Sequence, residues 1–187
     1  MRAATNPAER EVLSRLLIQT GRGDRKAFAD LYARTSSILF GICLRMLRER
    51  AEAEEVLQEA YTSVWRRAAG FDPARASALT WLVTLTRNKA IDRLRQHREE
   101  RLDDPAALAE LEDDQPTPAS AAQASQEYRR LERCLDTLEP RQRRSVREAF
   151  FTGATYKELA ARMKVPPGTM KSWIRRSLNQ LRTCLET

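Results

Sequence analysis

Apolar residues in this chain recur every three or four positions, and no window alternates between apolar and polar side chains. This spacing is typical of helices with one buried side, so we expect an all-α fold. The clearest apolar stripe comprises Ala53, Val56, Leu57, Ala60, Tyr61, Val64, Trp65 and Ala68. Trp65 belongs to that stripe, which favours a core position for it, and Gly70 and Pro73 then end the helix.

Charge divides the 187 residues into three parts, although the net charge of +7 describes the chain as simply basic. Residues 14–98 carry +7, residues 99–127 carry −8 and residues 128–187 carry +8. The middle part combines acidic runs with prolines and buries too little apolar surface to offset its ordering entropy. We therefore expect an N-terminal helical bundle and a C-terminal domain, joined by a flexible acidic linker at 99–127. The basic parts indicate polyanion binding, with solvated helix faces as the alternative.

Several classes of protein conflict with the composition. No apolar run approaches the roughly 20 residues of a membrane span, and the N-terminus lacks the apolar block of a signal peptide. Cys43, Cys134 and Cys184 lie far apart in the sequence and predict neither a disulfide framework nor a metal cluster, so we expect a reducing, cytoplasmic location. Cys43 and Cys134 fall on apolar stripes, which favours buried thiols. With His97 alone, we expect no metal, no cofactor and no histidine-based catalysis.

A further helix of the first part is expected from the N-cap Ser77 to about Arg98. At 100° per residue, its core side collects Leu79, Val83, Thr86, Ala90 and Leu94. The opposite side carries Trp81, Leu85, Asn88, Asp92 and Arg95. An aromatic residue leading a polar and basic strip suits single-stranded nucleic acid, because bases stack and phosphates pair with guanidinium groups. Packing of Trp81 under the neighbouring loop is the alternative.

The last part predicts a helix-turn-helix. Tyr128, Leu131, Cys134 or Leu135, and Leu138 form a short stripe, and Pro140 opens a helix that Phe150 and Phe151 close. Thr155 and Glu158 have the spacing of a capping box at the start of the next helix. A turn at 164–166 leads to a final basic helix that ends near Leu185.

Projection of the final helix separates an inner side from a reading side. The inner side holds Met170, Ile174, Leu178 and Leu181. The reading side holds Ser172, Arg175, Arg176 and Asn179, with Thr169 and Lys171 at its margins. Arginine at such positions pairs with guanine in the major groove, or takes phosphates. An ordinary solvated helix is the alternative. Trp173 flanks this side, where it contacts DNA or covers the preceding helix, and Lys164 costs about 1 kcal/mol if its φ is positive.

These motifs resemble extracytoplasmic-function sigma factors. The residues at 155–160 and 165–172 look like the final helix-turn-helix of that family. The segments at 53–59, 71–73, 80–82 and 88–92, together with Trp65, are similar to its second conserved domain. The two matches follow in the family's order and spacing and include the linker, so together they cover nearly the whole chain.

The resemblance implies a bacterial transcription initiation factor with three contact sets. Core RNA polymerase would be bound by Glu55, Leu57, Gln58 and Glu59. The minus-ten element, with a flipped base of the melted non-template strand, would be bound by Phe71, Asp72, Arg75, Ser77, Trp81, Arg87, Asn88, Asp92 and Arg95. The duplex minus-35 element would be bound by Thr169, Lys171, Ser172, Arg175, Arg176 and Asn179.

The same resemblance implies an anti-sigma protein, often membrane-tethered, as inhibitor, and no small-molecule substrate. The main rival is a helix-turn-helix regulator that binds an operator without polymerase, but it leaves the strip from Trp81 to Arg95 and the acidic linker unexplained. An RNA-processing enzyme is the second rival. The carboxylates of Glu52, Glu54, Glu55 and Glu59 cluster without His or Cys partners, so a solvated or protein-docking face is favoured.

Overall fold

A computed structural model describes residues 7–102 and 133–186, which contain helices and no strand, as the periodicity predicts. The chain divides between residues 98 and 99 into two compact units. The first unit holds α1 (Pro7–Gly21), α2 (Arg25–Leu47), α3 (Arg50–Arg67), a 3₁₀ turn (Ala68–Gly70) and α4 (Ala78–Leu102) except for its last four residues. The second holds α5 (Pro140–Phe151), α6 (Tyr156–Arg162) and α7 (Pro167–Glu186). The predicted acidic linker lies outside the described residues, except that α4 extends through residue 102.

The first unit is a helical bundle in which α2 packs against α1 and α3. Its fully buried side chains include Leu17, Leu31, Leu39, Val56 and Leu82. Helix α1 was not predicted from the sequence, although its buried residues have helical spacing: Leu13, Leu16, Leu17 and Thr20. Asp24 caps α2, since its carboxylate accepts hydrogen bonds from the amides of Lys26 and Ala27 at 2.8 and 3.1 Å.

Helix α2 is 23 residues long and largely apolar. Among the described helices, it is the one whose length and composition would allow a membrane crossing. In this structure Leu31, Leu39 and Cys43 are buried in the bundle, as in any central core helix. Burial also raises the pKa of the Cys43 thiol to about 11, so this cysteine stays protonated, as expected for a buried residue.

The second unit is organised around two apolar clusters. Leu159, Ala160, Met170 and Ile174 join α6 to α7, and Leu135, Leu138, Val146 and Leu181 join the chain before α5 to the far end of α7. Pro140 opens α5, and Phe151 ends it, as predicted. Tyr128 and Leu131 of the predicted stripe lie outside the described residues.

The predicted turn chemistry between α5 and α7 is confirmed. The Thr155 side chain accepts a hydrogen bond from the amide of Glu158 at 3.2 Å, and the Glu158 carboxylate accepts one from the amide of Thr155 at 2.7 Å. This reciprocal capping box fixes the start of α6. Lys164 in the following turn has a φ of 55°, in the left-handed region.

The prediction of unpaired cysteines is wrong for two of the three, because Cys134 and Cys184 form a disulfide. Cys134 is buried beside Leu135 and Leu138, and Cys184 packs against the same cluster from the last turn of α7. The two residues are 50 positions apart in the sequence and meet only because α7 folds back along α5. Spacing alone therefore gave no signal of this pairing.

Candidate nucleic-acid interface

The loop from Phe71 to Ser77 is anchored at both ends. Phe71 is buried and meets Trp81 edge-on, with 6.0 Å between the ring centres. Ser77 caps α4, since its hydroxyl accepts a hydrogen bond from the amide of Thr80 at 3.2 Å. Asp72 likewise accepts a hydrogen bond from the amide of Ala74 at 2.9 Å. Asp72, Arg75 and Ser77 remain exposed, whereas the Phe71 side chain shapes the loop from within.

Trp81 therefore packs under the neighbouring loop, as the alternative prediction held, because it is half-buried and contacts the loop residue Phe71. This contact leaves part of the indole surface open, and it makes the position of the loop depend on α4. A base that stacks on Trp81 would meet only that open part.

The outer strip of α4 is narrower than predicted. Asn88, Asp92 and Arg95 are exposed and share one side of the helix, while Arg87 is half-buried on its flank. The placement of Leu85 on the outer side is wrong, since this side chain is buried. It follows Ala78 and Leu82 in an apolar row beside Thr86 and Ala90. The predicted core residues Leu79, Val83 and Leu94 are only half-buried, so the core side of α4 is shifted from the predicted stripe.

The acidic side of α3 is exposed, and two of its carboxylates are paired with cations of α4. Glu55, Gln58 and Glu59 are exposed, whereas Leu57 is 7% exposed and belongs to the core. The Leu57 side chain was predicted to contact polymerase. Because it is buried, it instead supports α3 from beneath. Both carboxylates form ion pairs with cations of α4, a feature that the sequence reading missed.

Trp65 was expected in the core, but it lies at the rim of the bundle and is 37% exposed. Its ring meets Phe28 edge-on at 5.3 Å, and Phe28 in turn meets Tyr61 at 6.0 Å. Tyr61 is buried and hydrogen-bonded to Thr35 at 2.6 Å, which anchors this aromatic group between α2 and α3.

The reading side of α7 is exposed to solvent. Lys171, Ser172, Arg175, Arg176 and Asn179 are exposed, and Thr169 at the start of the helix is half-buried. The inner side differs from the prediction at one position, because Leu178 is 51% exposed and Ser177 is buried in its place. Trp173 packs against the cluster around Leu159 and Met170, so it covers the preceding helix as one of the two readings held.

The described residues hold no cluster of three or more histidine, cysteine or carboxylate side chains suited to a metal ion. The two exposed faces are instead polar and basic, one on α4 and one on α7. Guanidinium and amide groups of this kind bind phosphates and base edges without any bond-making chemistry.

Comparison with known proteins agrees with this arrangement. Residues 31–100 match the family described as Sigma-70 region 2, and residues 128–181 match Sigma-70, region 4. Over 96% of this chain and 97% of its relative, the sequence is 38% identical to the ECF RNA polymerase sigma factor SigK of Mycobacterium ulcerans (strain Agy99). The chain belongs to the ECF RNA polymerase sigma factors.

Two further proteins are similar to this chain. The sigma factor is 37% identical to SigK of Mycobacterium tuberculosis (strain ATCC 25618 / H37Rv), over 93% of this chain and 94% of that one. Among solved structures, it resembles Rhodobacter sphaeroides SigE in complex with the anti-sigma ChrR, at 33% identity and a TM-score of 0.47. That match covers 93% of this chain and 98% of the other.

As a sigma factor, the chain acts in transcription initiation and binds core RNA polymerase and promoter DNA. The first unit contains the region 2 match except for its last two residues, and the second unit contains the whole region 4 match. The exposed strips on α4 and α7 each belong to one of those regions.

Proposed function

We propose that this sigma factor recognises a two-part promoter, with domains at 14–98 and 128–187 on either side of a linker at 99–127. The exposed reading side of α7 is the observation that carries the proposal. Its arginines and Asn179 project from a capped helix-turn-helix, the arrangement that enters a major groove. We assign the minus-35 element to this side, through Thr169, Lys171, Ser172, Arg175, Arg176 and Asn179.

The minus-ten element is assigned to the first unit. Asp72, Arg75 and Ser77 of the loop would receive a flipped non-template base, and Asn88, Asp92 and Arg95 would follow the melted strand. Arg87 would contact it from the flank. Phe71 and Trp81 position the loop, and Trp81 also offers its open surface for stacking. Extrusion of a base costs a few kcal/mol, which stacking and a pocket offset, so melting proceeds by binding and needs no catalytic group.

Polymerase docking is assigned to the outer side of α3. Glu55, Gln58 and Glu59 are exposed there and provide charged and amide groups for a protein partner. Two moderate DNA contacts joined in one chain gain through effective concentration, provided that polymerase holds them at the spacing of the two promoter elements. On this proposal the protein acts in the bacterial cytoplasm, as a binding factor rather than an enzyme. An anti-sigma protein, often membrane-tethered in this family, would keep it inactive.

Transcription with core polymerase on a randomised promoter library tests these assignments. Arg175→Ala should relax base preference in the upstream element and leave the minus-ten preference unchanged, at a cost of about 1–3 kcal/mol in discrimination. Asn88→Ala should do the reverse and reduce permanganate reactivity of the melted strand. Each variant serves as the control for the other, since both proteins carry one truncated polar side chain.

Two outcomes would contradict the proposal. If both variants shift the same promoter element, the assignment of one element to each unit is wrong. If the purified chain binds an operator alone and directs no initiation with core polymerase, the helix-turn-helix regulator is the better description.

A further inference from the structure

Three carboxylates of α3 face three basic residues of α4 in a row of ion pairs, which we call the carboxylate ladder. Glu52 lies 2.8 Å from His97, which corrects the expectation that these carboxylates have no histidine partner. Glu55 accepts a hydrogen bond from Arg93 at 3.0 Å, and Glu59 accepts another from the second terminal nitrogen of Arg93 at 3.0 Å. Lys89 lies 3.9 Å from Glu59. The pairs run in opposite order along the two helices, so α3 and α4 are antiparallel.

The carboxylates of the ladder screen two cations that lie next to the DNA-binding strip proposed for α4. Lys89 and Arg93 follow Asn88 and Asp92 directly in the sequence, and each lies about 100° further around the helix, on the side of α3. The Arg93 side chain is 19% exposed and that of Lys89 is 34% exposed, so the carboxylates screen both. The hydrogen bond to Glu55 also raises the pKa of Arg93.

The same two carboxylates are those proposed to dock on polymerase. Ion pairs with solvent-exposed carboxylates contribute little to stability, because water and salt screen them. A phosphate oxygen is an equivalent partner for a guanidinium or ammonium group. Exchange of a carboxylate for a phosphate at Lys89 and Arg93 therefore costs little, once another partner takes the carboxylates.

We propose that Lys89 and Arg93 are further DNA-phosphate ligands, masked in the free chain by Glu55 and Glu59 and unmasked when polymerase takes those carboxylates. The inference rests on the proposed docking of α3 and the proposed DNA strip of α4. It makes the ladder an autoinhibitory contact, through which polymerase binding on one helix increases the DNA affinity of the next.

The free chain provides the direct test. Binding of a fluorescent single-stranded 20-mer DNA of mixed sequence is measured across a range of salt concentrations. Glu55→Gln/Glu59→Gln should bind on the order of tenfold more tightly at low salt. Its plot of log affinity against log salt should be steeper by about 1.4, which corresponds to two additional phosphate contacts on a single strand.

The matched control is Glu49→Gln/Glu54→Gln, which changes the net charge equally at the start of the same helix. Glu49 makes no capping hydrogen bond, and Glu54 pairs with Arg50 on its own helix rather than with a cation of α4. An equal rise in both variants would overturn the proposal, since general electrostatics would explain it. A fall in affinity for the ladder variant would also overturn it, because the ladder would then only hold α4 in place.

The reverse variant keeps the test decisive if the first variant loses helicity. Lys89→Gln/Arg93→Gln should leave the affinity of the free chain within about twofold, because salt-bridged cations contribute little to it. It should weaken binding of the holoenzyme to a pre-melted promoter fork roughly tenfold. An equal loss in both assays, or no loss in either, would overturn the proposal.

Arg95→Ala separates this inference from the proposed function. If it leaves DNA binding of the holoenzyme unchanged, the outer strip of α4 does not bind DNA and the proposed function itself fails. If it weakens binding while the ladder variants have no effect, only the masking of Lys89 and Arg93 is wrong.

Discussion

Lys164 shows how one residue carries a local energetic cost in this fold. It lies between α6 and α7 with a φ of 55°, and its amide donates a hydrogen bond to the carbonyl of Ala161 at 3.2 Å. The left-handed conformation costs an L-residue with a Cβ roughly 1–2 kcal/mol, which glycine avoids. The turn is nevertheless formed, because the capping box before it and the cluster around Met170 hold both helices.

We expect Lys164→Gly to raise the free energy of unfolding of the second unit by about 1 kcal/mol, since glycine removes the steric cost. Hydrogen exchange of the α6 and α7 amides measures the change. Lys164→Ala is the control, because alanine removes the same charge but keeps the Cβ atom. Equal effects of the two substitutions would show that the charge, and not the backbone conformation, is responsible.

Burial of single residues was the least predictable feature of the interface. Leu85 was expected on the outer side of α4 but is buried, and Leu178 was expected on the inner side of α7 but is exposed. A helical projection gives relative angles, but the partner helix determines where the boundary between core and solvent falls. At α7 the boundary passes between Ser177 and Leu178, which no property of those two residues predicts.

At the scale of elements, α1 depends on close backbone contact. A Cβ atom on Gly21 would come within 2.7 Å of the backbone at Ala68 and Ala69 in the 3₁₀ turn. That distance is too short for any side chain, so glycine at the end of α1 allows the helix to approach the turn that leads into the loop from Phe71 to Ser77. The packing of α1 is thereby connected to the position of Phe71.

Gly21→Ala should therefore destabilise the first unit by roughly 1–3 kcal/mol, because the added methyl group forces the backbones apart. Gly41→Ala is the matched control within α2, where no atom lies within 4 Å of the added carbon. Alanine is favoured over glycine inside a helix, so the control should gain about 0.5–1 kcal/mol. Urea unfolding of both variants, followed by hydrogen exchange, measures the difference. A loss of stability in both would indicate that glycine is required for another reason.

At the scale of the whole molecule, each compact unit contains a set of long-range contacts of its own. The disulfide joins Cys134 to Cys184 across 50 residues, all of them in the second unit. The carboxylate ladder lies entirely in the first unit. The second unit should therefore respond to reduction of its disulfide, and the first unit to salt, which screens its ion pairs.

We expect Cys134→Ser to lower the free energy of unfolding of the second unit by up to about 4 kcal/mol, as the entropy of a loop of this length predicts. The first unit should be unaffected, since its single cysteine, Cys43, is free and buried. Hydrogen exchange resolved by unit measures both effects. Treatment of the wild-type chain with dithiothreitol should reproduce the result in the second unit only. Unchanged protection after reduction would show that the disulfide adds no stability.

The sequence by itself determined the all-α class, both ends of α5, the capping box and the order of the two sigma regions. These features depend on residues within one or two helical turns of each other, so local periodicity and capping chemistry suffice to predict them. The family resemblance also rested on such short segments.

Only the tertiary structure decided which side chains the neighbouring helices cover. Arg93 meets Glu55 across 38 residues and Cys184 meets Cys134 across 50, and neither partner carries a local signal of the other. The same holds for Leu85, which is buried, and for Leu178, which is exposed, since both depend on where α4 and α7 are packed. Long-range contacts of this kind arise from the packing of whole helices, because each helix has several sides that could face the core and only the assembled bundle selects one.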